Sequence, residues 1–470
     1  MTEQQTLPVP AATESPARGQ GTEPRPSPTL TLVASLLGFA LILLDASVVN
    51  VALPSMGSDL GGGMSGLQWV VDAYTVTFAA LLLSTGAFSD RIGASRAYAI
   101  GITLFTLASV ACALAPGLGT LIGFRVVQGI AAAVVLPTTL ALVRQAYADP
   151  AQRRRAVSLW AAGGTTASAL GPVVGGALIT AWDWRAIFLI NLPLGLLALA
   201  FVSRSPHSAR RAAPLDLPGQ LTAVVALAGL AFAVIEEGTL ALVALGVAVA
   251  ALAAFLRIES RHPHPVVPLG LFRDRTVAVA VGAGSAISVA FYGMLFVFSL
   301  FFQQVRDQSA LTAGLMFLPM TATVVGANVL SGRLANRYGP RPPMLAGQLI
   351  SLAGLLLLLF VDKDTPLLLT AALLVPLSAG AGLALPPLTA AMMDAVPAER
   401  AGVAAGVLNA ARQVSGGMGV AVFGALVADG FGSGLRTSLA ISAALLAVTA
   451  LATARLGKGQ HRPRGGAEAA

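Results

Sequence analysis

Charge is scarce in this sequence: 11% of its 470 residues are Asp, Glu, Lys or Arg, against about 25% in soluble domains. The only lysines, Lys363 and Lys458, stand in no Gly-x-x-x-x-Gly-Lys-Ser/Thr loop, which excludes a nucleotide-driven motor of that class. A single cysteine, Cys112, excludes an intramolecular disulfide. The four histidines have no ligand-like neighbours in the sequence. We therefore expect neither a metal site nor any other cofactor.

Long apolar runs take the place of the missing charge, and apolar residues make up 56% of the chain. About fourteen stretches of roughly 20 residues could each cross a hydrocarbon core of about 30 Å at about 1.5 Å per residue. They lie at about 30–54, 67–88, 97–115, 118–142, 156–180, 185–203, 217–236, 239–258, 277–302, 312–332, 342–361, 366–388, 401–428 and 436–456. The sequence predicts an all-α integral membrane protein with fourteen transmembrane helices.

The basic residues are distributed unevenly between the predicted loops. Of 29 Lys and Arg, 23 fall in the two tails and in the loops on the same side as the tails, whereas four fall in the opposite loops. Because loops rich in Lys and Arg stay in the cytoplasm, both termini are predicted to be cytoplasmic. The net charge of +8 then faces anionic lipid, and no basic stripe with interleaved aromatics points to nucleic acid.

A loop pattern occurs twice, after the second and the tenth predicted span. The first copy consists of Gly86, Asp90, Arg91, Gly93 and Arg96, and the second of Gly332, Asn336, Arg337, Gly339 and Arg341. If each copy follows the second helix of a six-helix set, the chain divides into six, two and six helices. This layout predicts two pseudo-symmetric bundles with an inserted helix pair between them.

The predicted boundaries follow from that division. They are a disordered cytoplasmic tail at 1–29, an N-terminal bundle at 30–203, a linker at 204–276 with extra helices at about 217–236 and 239–258, a C-terminal bundle at 277–456, and a cytoplasmic tail at 457–470.

Three ionisable residues within the spans of the first bundle are candidates for ion coupling. Asp45, Asp72 and Arg125 are costly in hydrocarbon and all fall at one predicted level, in the outer half. We expect Arg125 to pair with Asp45, Asp72 or both, and the carboxylate to be the group that titrates, because arginine keeps its charge in proteins. A static ion pair that only fixes helix packing is the alternative.

Several motifs occur in a fixed order along the chain. They are Leu44–Pro54 in the first span, Gly86–Arg96, Arg125 with Gln128 and Gly129, Gly163–Gly176, Trp184-Arg185 with Phe188, Asn191 and Pro193, and Arg400-Ala401-Gly402 with Asn409, Arg412 and Gln413. Together they resemble the major facilitator superfamily, and within it the fourteen-helix drug:proton antiporters. Asp72 stands where many members of that family have an uncharged residue.

The resemblance implies roles for two of these motifs. It implies that the loop with Asp90, Arg91 and Arg96 is a conformational lock, which should be weaker in the second copy, where Asn336 stands in the acidic position. It also implies that Gly163, Gly171, Pro172, Gly175 and Gly176 form an antiporter-motif helix with a tight contact that prevents a leak. Ordinary small-residue packing is the alternative reading of those glycines.

Polar residues inside the spans or close to a span end are candidates for a substrate cavity. They are Asn50, Gln128, Gln303, Gln304, Asn409 and Arg412. For Gln303 and Gln304 a polar role at the membrane interface is equally consistent with their place near a span end, and the partner of Arg412 is left open.

The hypothesis from the sequence is secondary active export of an amphipathic drug or antibiotic in exchange for protons, by a monomer in the cell membrane that is not an enzyme. Export follows from the resemblance. One alternative is a transporter of the same fold that moves one metabolite, peptide or siderophore. A non-transporting sensor or scaffold is another alternative, and a channel is disfavoured because no filter sequence occurs.

Overall fold

The structure, a computed structural model, describes residues 27–147, 149–205, 216–262, 265, 267–396 and 401–456. Throughout these residues the regular structure is helical. The helices are α1 Pro28–Leu60, α2 Gly63–Ile92, α3 Ala94–Ala113, α4 Leu118–Ala146, α5 Pro150–Ala181, α6 Ala186–Leu189, α7 Asn191–Val202, α8 Leu217–Ile235, α9 Thr239–Glu259, α10 Arg275–Leu300, α11 Ala310–Met316, α12 Leu318–Tyr338, α13 Arg341–Leu358, α14 Leu367–Asp394, α15 Ala401–Ala428 and α16 Phe431–Ala454. A 3₁₀ turn, Leu269–Arg273, precedes α10, and a π-helical turn, Phe301–Val305, follows it.

Twelve helical segments of the described chain are long and apolar enough to cross a membrane. Two further apolar stretches lie among them. One is the 30-residue helix α2 and the other is the shorter segment Ala186–Val202, which contains α6 and α7.

Two predicted spans are interrupted rather than continuous. The span at 312–332 is divided between α11 and α12 at Phe317, two residues before Pro319, and the span at 185–203 is divided between α6 and α7 at Ile190, before Pro193. Proline has no N–H to donate to the preceding turn, so a helix tends to restart where a proline fits its first turn.

Aspartates cap the beginnings of three helices. Asp149 accepts a hydrogen bond from the backbone N–H of Gln152 at the start of α5, and Asp216 does the same for Gly219 in α8. Asp274 accepts from Thr276 at the start of α10. Each cap satisfies a backbone donor that the first helical turn leaves open, so these polar residues fix where apolar helices begin.

The helices pack as two groups with a pair beside them. In the first group, α1 packs on α4, α5 and α7, and α4 also packs on α2 and α3. In the second group, α10 packs on α15 and α16, and α14 packs on α12 and α13. Helix α8 packs on α9 and contacts both α2 and α15. We call the end of the molecule where α1 begins the proximal end and the end where α1 finishes the distal end.

Three hydrogen bonds cross between the two groups in the distal half. The Ser299 hydroxyl donates to the Asn50 carbonyl at 2.8 Å, and the Gln303 amide donates to the Val51 carbonyl at 3.0 Å. At a second contact between the groups, Gln68 of α2 donates to the Ala421 carbonyl of α15 at 2.9 Å. The groups are therefore held together at the distal end.

Candidate functional site

A buried ion pair lies inside the first helix group. The Asp45 carboxylate of α1 and the Arg125 guanidinium of α4 approach to 2.5 Å, and their side chains are 0% and 1% exposed. A charged group removed from water needs an opposite charge and hydrogen bonds to remain ionised. Asp45 and Arg125 provide each other with the opposite charge, and both belong to the first helix group.

Arg125 is also bonded to neutral groups on two helices. Its Nε donates to the Val70 carbonyl of α2 at 3.0 Å, and its Nη1 donates to Gln128 Oε1 at 2.9 Å. The guanidinium lies over the Tyr74 ring, with its Cζ atom 4.3 Å from the ring centroid. Hydrogen bonds and an aromatic face around an arginine hold it in one orientation.

Asp45 has a second strong partner, Asn191, which belongs to a sequence motif but was not predicted to pair with Asp45. The Asn191 amide of α7 donates to Asp45 Oδ1 at 2.9 Å and also contacts the Ser109 hydroxyl at 2.9 Å. Gln128 reaches the same Asp45 oxygen at 3.4 Å, which is a weak hydrogen bond. Asn191 is a polar residue at the start of an apolar helix, and that contrast is the signal that could have identified it. The pair is thus fixed by four helices.

Asp72 is in a different setting, at the boundary between the two helix groups. Its side chain is fully buried, and neither carboxyl oxygen has a hydrogen-bond partner among the described residues. It faces Gly417 of α15, where an added Cβ atom would lie 3.1 Å from Asp72 Oδ1. The structure therefore brings Arg125 together with Asp45 and leaves Asp72 apart from both.

A small cavity lies beside Asp72, between α1, α2, α10 and α15. Its volume is about 30 Å³, and a cavity of this size holds only one or two water molecules. The polar side chains of its wall are Asn50, Tyr74, Thr75, Tyr292 and Gln413. Tyr292 was not singled out from the sequence, although a tyrosine within an apolar helix is an identifiable signal.

The other predicted cavity residues lie elsewhere. Gln128 belongs to the buried ion pair, and Gln303 bonds to the Val51 carbonyl at the distal end. Gln304 and Asn409 are exposed. Arg412 packs its aliphatic stem against Gly284 of α10, and its Nε is enclosed without a hydrogen-bond partner among the described residues. Of the six candidates, Asn50 is the one in the wall of the cavity.

The glycines of α5 divide between two neighbours. Gly171 and Gly175 lie against Ser47 and Val48 of α1, within the first group, and nearer the proximal end Gly163 faces Leu36. Gly176 faces the backbone of α11 in the second group, where an added Cβ atom would lie 2.4 Å from the Ala310 carbonyl oxygen. This helix therefore forms close contacts both inside its own group and across to the other.

Helix α11 also has a glycine at its close contact with α5. A Cβ atom added at Gly314 would lie 2.3 Å from the Pro172 carbonyl oxygen of α5. Because backbone atoms on both sides make this contact, it leaves no room for a side chain.

The repeated loop has the same backbone role in both copies. Gly93 ends α2 with φ of 91°, and Gly339 ends α12 with φ of 82°, and both glycines donate their N–H to the residue four positions before. Left-handed backbone favours glycine, which explains the repeat at this position.

The charged residues of the two loops differ. Arg91 and Arg96 are exposed, and a Cβ atom added at Gly86 would have no neighbouring atom within 4 Å. The side chain of Asp90 lies outside the described residues. In the second copy, the Arg341 guanidinium donates to the Ala454 carbonyl at the end of α16.

Comparisons with known proteins give relatives over most of the chain. It is 40% identical over 409 residues to the multidrug resistance protein Stp of Mycobacterium tuberculosis, covering 85% of this chain and 76% of Stp. It is 38% identical over 421 residues to the methylenomycin A resistance protein of Streptomyces coelicolor, covering 88% of each.

The fold is shared with a solved transporter. A bacterial homologue of the human lysosomal transporter Spinster, in an inward-facing and unoccupied conformation, matches with a TM-score of 0.66 and 17% identity, over 92% of this chain and 97% of that protein. Residues 35–420 match the family model described as Major Facilitator Superfamily.

Proposed function

Because this chain belongs to the major facilitator superfamily, we propose that it exports small amphipathic molecules, antibiotics among them, in exchange for protons. The chain is a multi-pass protein of the cell membrane. Two relatives that align with more than four fifths of it are named for multidrug resistance and for methylenomycin A resistance. The sequence has no Walker-type loop, so an ion gradient would supply the energy and no enzymatic step would be needed.

The proposed topology counts fourteen spans. Helix α2 and the α6–α7 segment would cross the membrane beside the twelve segments that are long and apolar enough. Both termini would then be cytoplasmic, as the distribution of arginines favours, and the distal end would face outward. The bundles would comprise residues 30–203 and 277–456, and one copy would suffice because the cavity lies between the two groups of a single chain.

The conformation matches one state of an alternating-access cycle, in which the distal end, proposed to face outward, is closed. The bonds from Ser299, Gln303 and Gln68 across the groups all lie at the distal end. Rocking of one bundle against the other would break these bonds and open the central cavity to the outside. The central cavity, which has room for only one or two water molecules in this conformation, would then enlarge around a drug.

The proposal that Asp72 binds the coupled proton rests on one observation, the burial of its carboxyl group without a hydrogen-bond partner among the described residues. An ionised carboxylate buried without a partner costs several kcal/mol, whereas the neutral acid has a much smaller cost. Closure of the distal boundary around Asp72 would therefore require its carboxyl group to be protonated. A proton taken from outside would permit closure, and its release through the central cavity would accompany the entry of drug from the cytoplasm.

Asp45 has the opposite setting. Its charge is matched by Arg125 and by hydrogen bonds that do not cross to the second group. We therefore propose that this pair maintains the first bundle and that Asp72 carries the coupled proton.

Accumulation of substrate in cells tests the proposal. Bacteria that express the protein should retain less ethidium or methylenomycin A than cells with an empty vector, and a protonophore should abolish the difference. Equal accumulation in the two strains for every compound would contradict export. A lower level that survives the protonophore would contradict proton coupling.

The α5–α11 contact gives a further prediction. Gly176→Ala places a methyl group against the Ala310 carbonyl, and overpacking of this kind costs about 1–3 kcal/mol. We expect export to fall about tenfold, because about 1.4 kcal/mol against the closed state is a tenfold change in its population. Initial rates of drug export in liposomes measure the effect.

Gly123→Ala is the matched control for that variant. Gly123 lies on α4, and no atom lies within 4 Å of an added Cβ, so export should stay at the wild-type rate. A Gly176→Ala protein that exports as fast as Gly123→Ala would show that the α5–α11 contact does not limit transport.

A further inference from the structure

Helix α8, the first helix of the inserted pair, lies across the boundary between α2 and α15. It contacts both of these helices, whereas its partner α9 is largely exposed along its length. A helix that touches both moving groups must either move with one of them or move independently. Its contacts distinguish these cases.

Polar bonds tie α8 to α2 at both of its ends. Near the proximal end, the Gln220 amide donates to the Ala80 carbonyl. At the distal end, Glu236 Oε1 accepts from the Ser65 hydroxyl at 2.9 Å and from the Trp69 indole N–H at 2.8 Å. The two ties are 16 residues apart, or about 24 Å along a helix. Helix α8 therefore runs antiparallel to α2, and bonds this far apart prevent it from pivoting on α2.

The contact between α8 and α15 is of another kind. Ala231 and Ile235 of α8 form one buried apolar cluster with Ala421 of α15. Contacts between apolar side chains are not directional, so sliding of α8 along α15 would break no fixed bond at this cluster. Helix α8 thus has directional hydrogen bonds to α2 and an apolar contact with α15. This difference indicates that α8 moves together with α2.

The covered boundary contains the proposed proton site. Gly417, which faces Asp72, lies one helical turn before Ala421 on α15. The part of α8 that reaches Ala421 therefore lies over the outer half of the α2–α15 boundary. An acidic residue at a boundary that opens would otherwise meet lipid, where its charge is costly.

We propose that Gln220 and Glu236 are positioning residues that fix the inserted pair α8–α9 to the first bundle, so that α8 moves with α2 and slides over α15 as the boundary around Asp72 opens. The proposal rests on alternating access as proposed above. It gives the two additional helices a role as a sliding cover over that boundary.

Disulfide cross-linking of two matched pairs tests this inference. Ser65→Cys with Glu236→Cys joins α8 to α2, and Ile235→Cys with Ala421→Cys joins α8 to α15. Cys112 is buried and stays in both proteins. In liposomes, the first cross-link should leave ethidium export close to the rate of the reduced protein, and the second should reduce export to the level of empty liposomes until a reductant is added. Export blocked by the α8–α2 cross-link, or export that survives the α8–α15 cross-link, would overturn the proposal.

Nitroxide labels at the same four positions give a readout that needs no drug. The distance between α8 and α15 should change between acidic and neutral pH, and the distance between α8 and α2 should stay constant. A change in the α8–α2 distance, or a constant α8–α15 distance, would contradict the proposal even if the reduced proteins export nothing. A wild-type protein that exports no compound, with the label distances as expected, would instead count against the proposed drug transport alone.

Discussion

Asp72→Asn is expected to abolish drug-driven proton movement. The variant is nearly isosteric and permanently neutral, so it resembles the protonated acid that the closed boundary requires. It should close normally but take up and release no proton, and in liposomes with a trapped pH-sensitive dye, added drug should leave an imposed pH gradient unchanged. The wild-type protein should dissipate the gradient under the same conditions.

An exposed carboxylate provides the control. Asp364→Asn removes the same charge from the loop between α13 and α14, where the side chain faces solvent, and should dissipate the gradient like the wild type. Asp72→Asn should still bind drug, which equilibrium binding of ethidium by fluorescence measures. Proton movement by Asp72→Asn at the wild-type rate would exclude Asp72 as the coupling residue.

Asp45→Asn is expected to lower stability strongly. The substitution leaves Arg125 charged and buried without its counter-ion, and breaking a buried ion pair from one side costs about 3–5 kcal/mol. In detergent, unfolding should move to much lower temperature or denaturant concentration. Asp72→Asn, which removes a carboxyl group without a partner, should be at least as stable as the wild type.

A double variant distinguishes loss of the ion pair from other effects of the Asp45→Asn substitution on stability. Asp45→Asn with Arg125→Gln removes both charges and should regain most of the stability lost in Asp45→Asn, because no uncompensated charge remains. An Asp45→Asn protein that unfolds like the wild type, or an Asp72→Asn protein that is the less stable of the two single variants, would contradict the roles assigned to the two carboxylates.

The sequence alone predicted much of the helical arrangement because the bilayer imposes a length and a composition on each span. The loop repeat was also readable, since Gly93 and Gly339 supply a left-handed conformation that other residues rarely adopt. Boundaries were less predictable where helices break. Pro193 and Pro319 lie inside apolar runs, and hydropathy does not register the interruptions near them.

The site was only partly predictable. The positions of Asp45, Asp72 and Arg125 along their helices indicated a common level, but the level does not determine which way each side chain points around its helix. Only the packing of α2 against α15 shows that Asp72 points away from Arg125. Gln304 and Asn409 are exposed for the same reason: a polar residue in an apolar span gives no indication of which face it occupies.

The proposed transport cycle exchanges one drug molecule on its way out for protons on their way in. Proteoliposomes with an imposed pH gradient test it most directly, when the movement of ethidium and of protons is recorded together. We predict that the drug accumulates against its own gradient on the acidic side only while the pH gradient lasts, and that protons move the opposite way in proportion. Drug movement that is independent of the pH gradient, or proton movement that is unaffected by added drug, would contradict proton-coupled export.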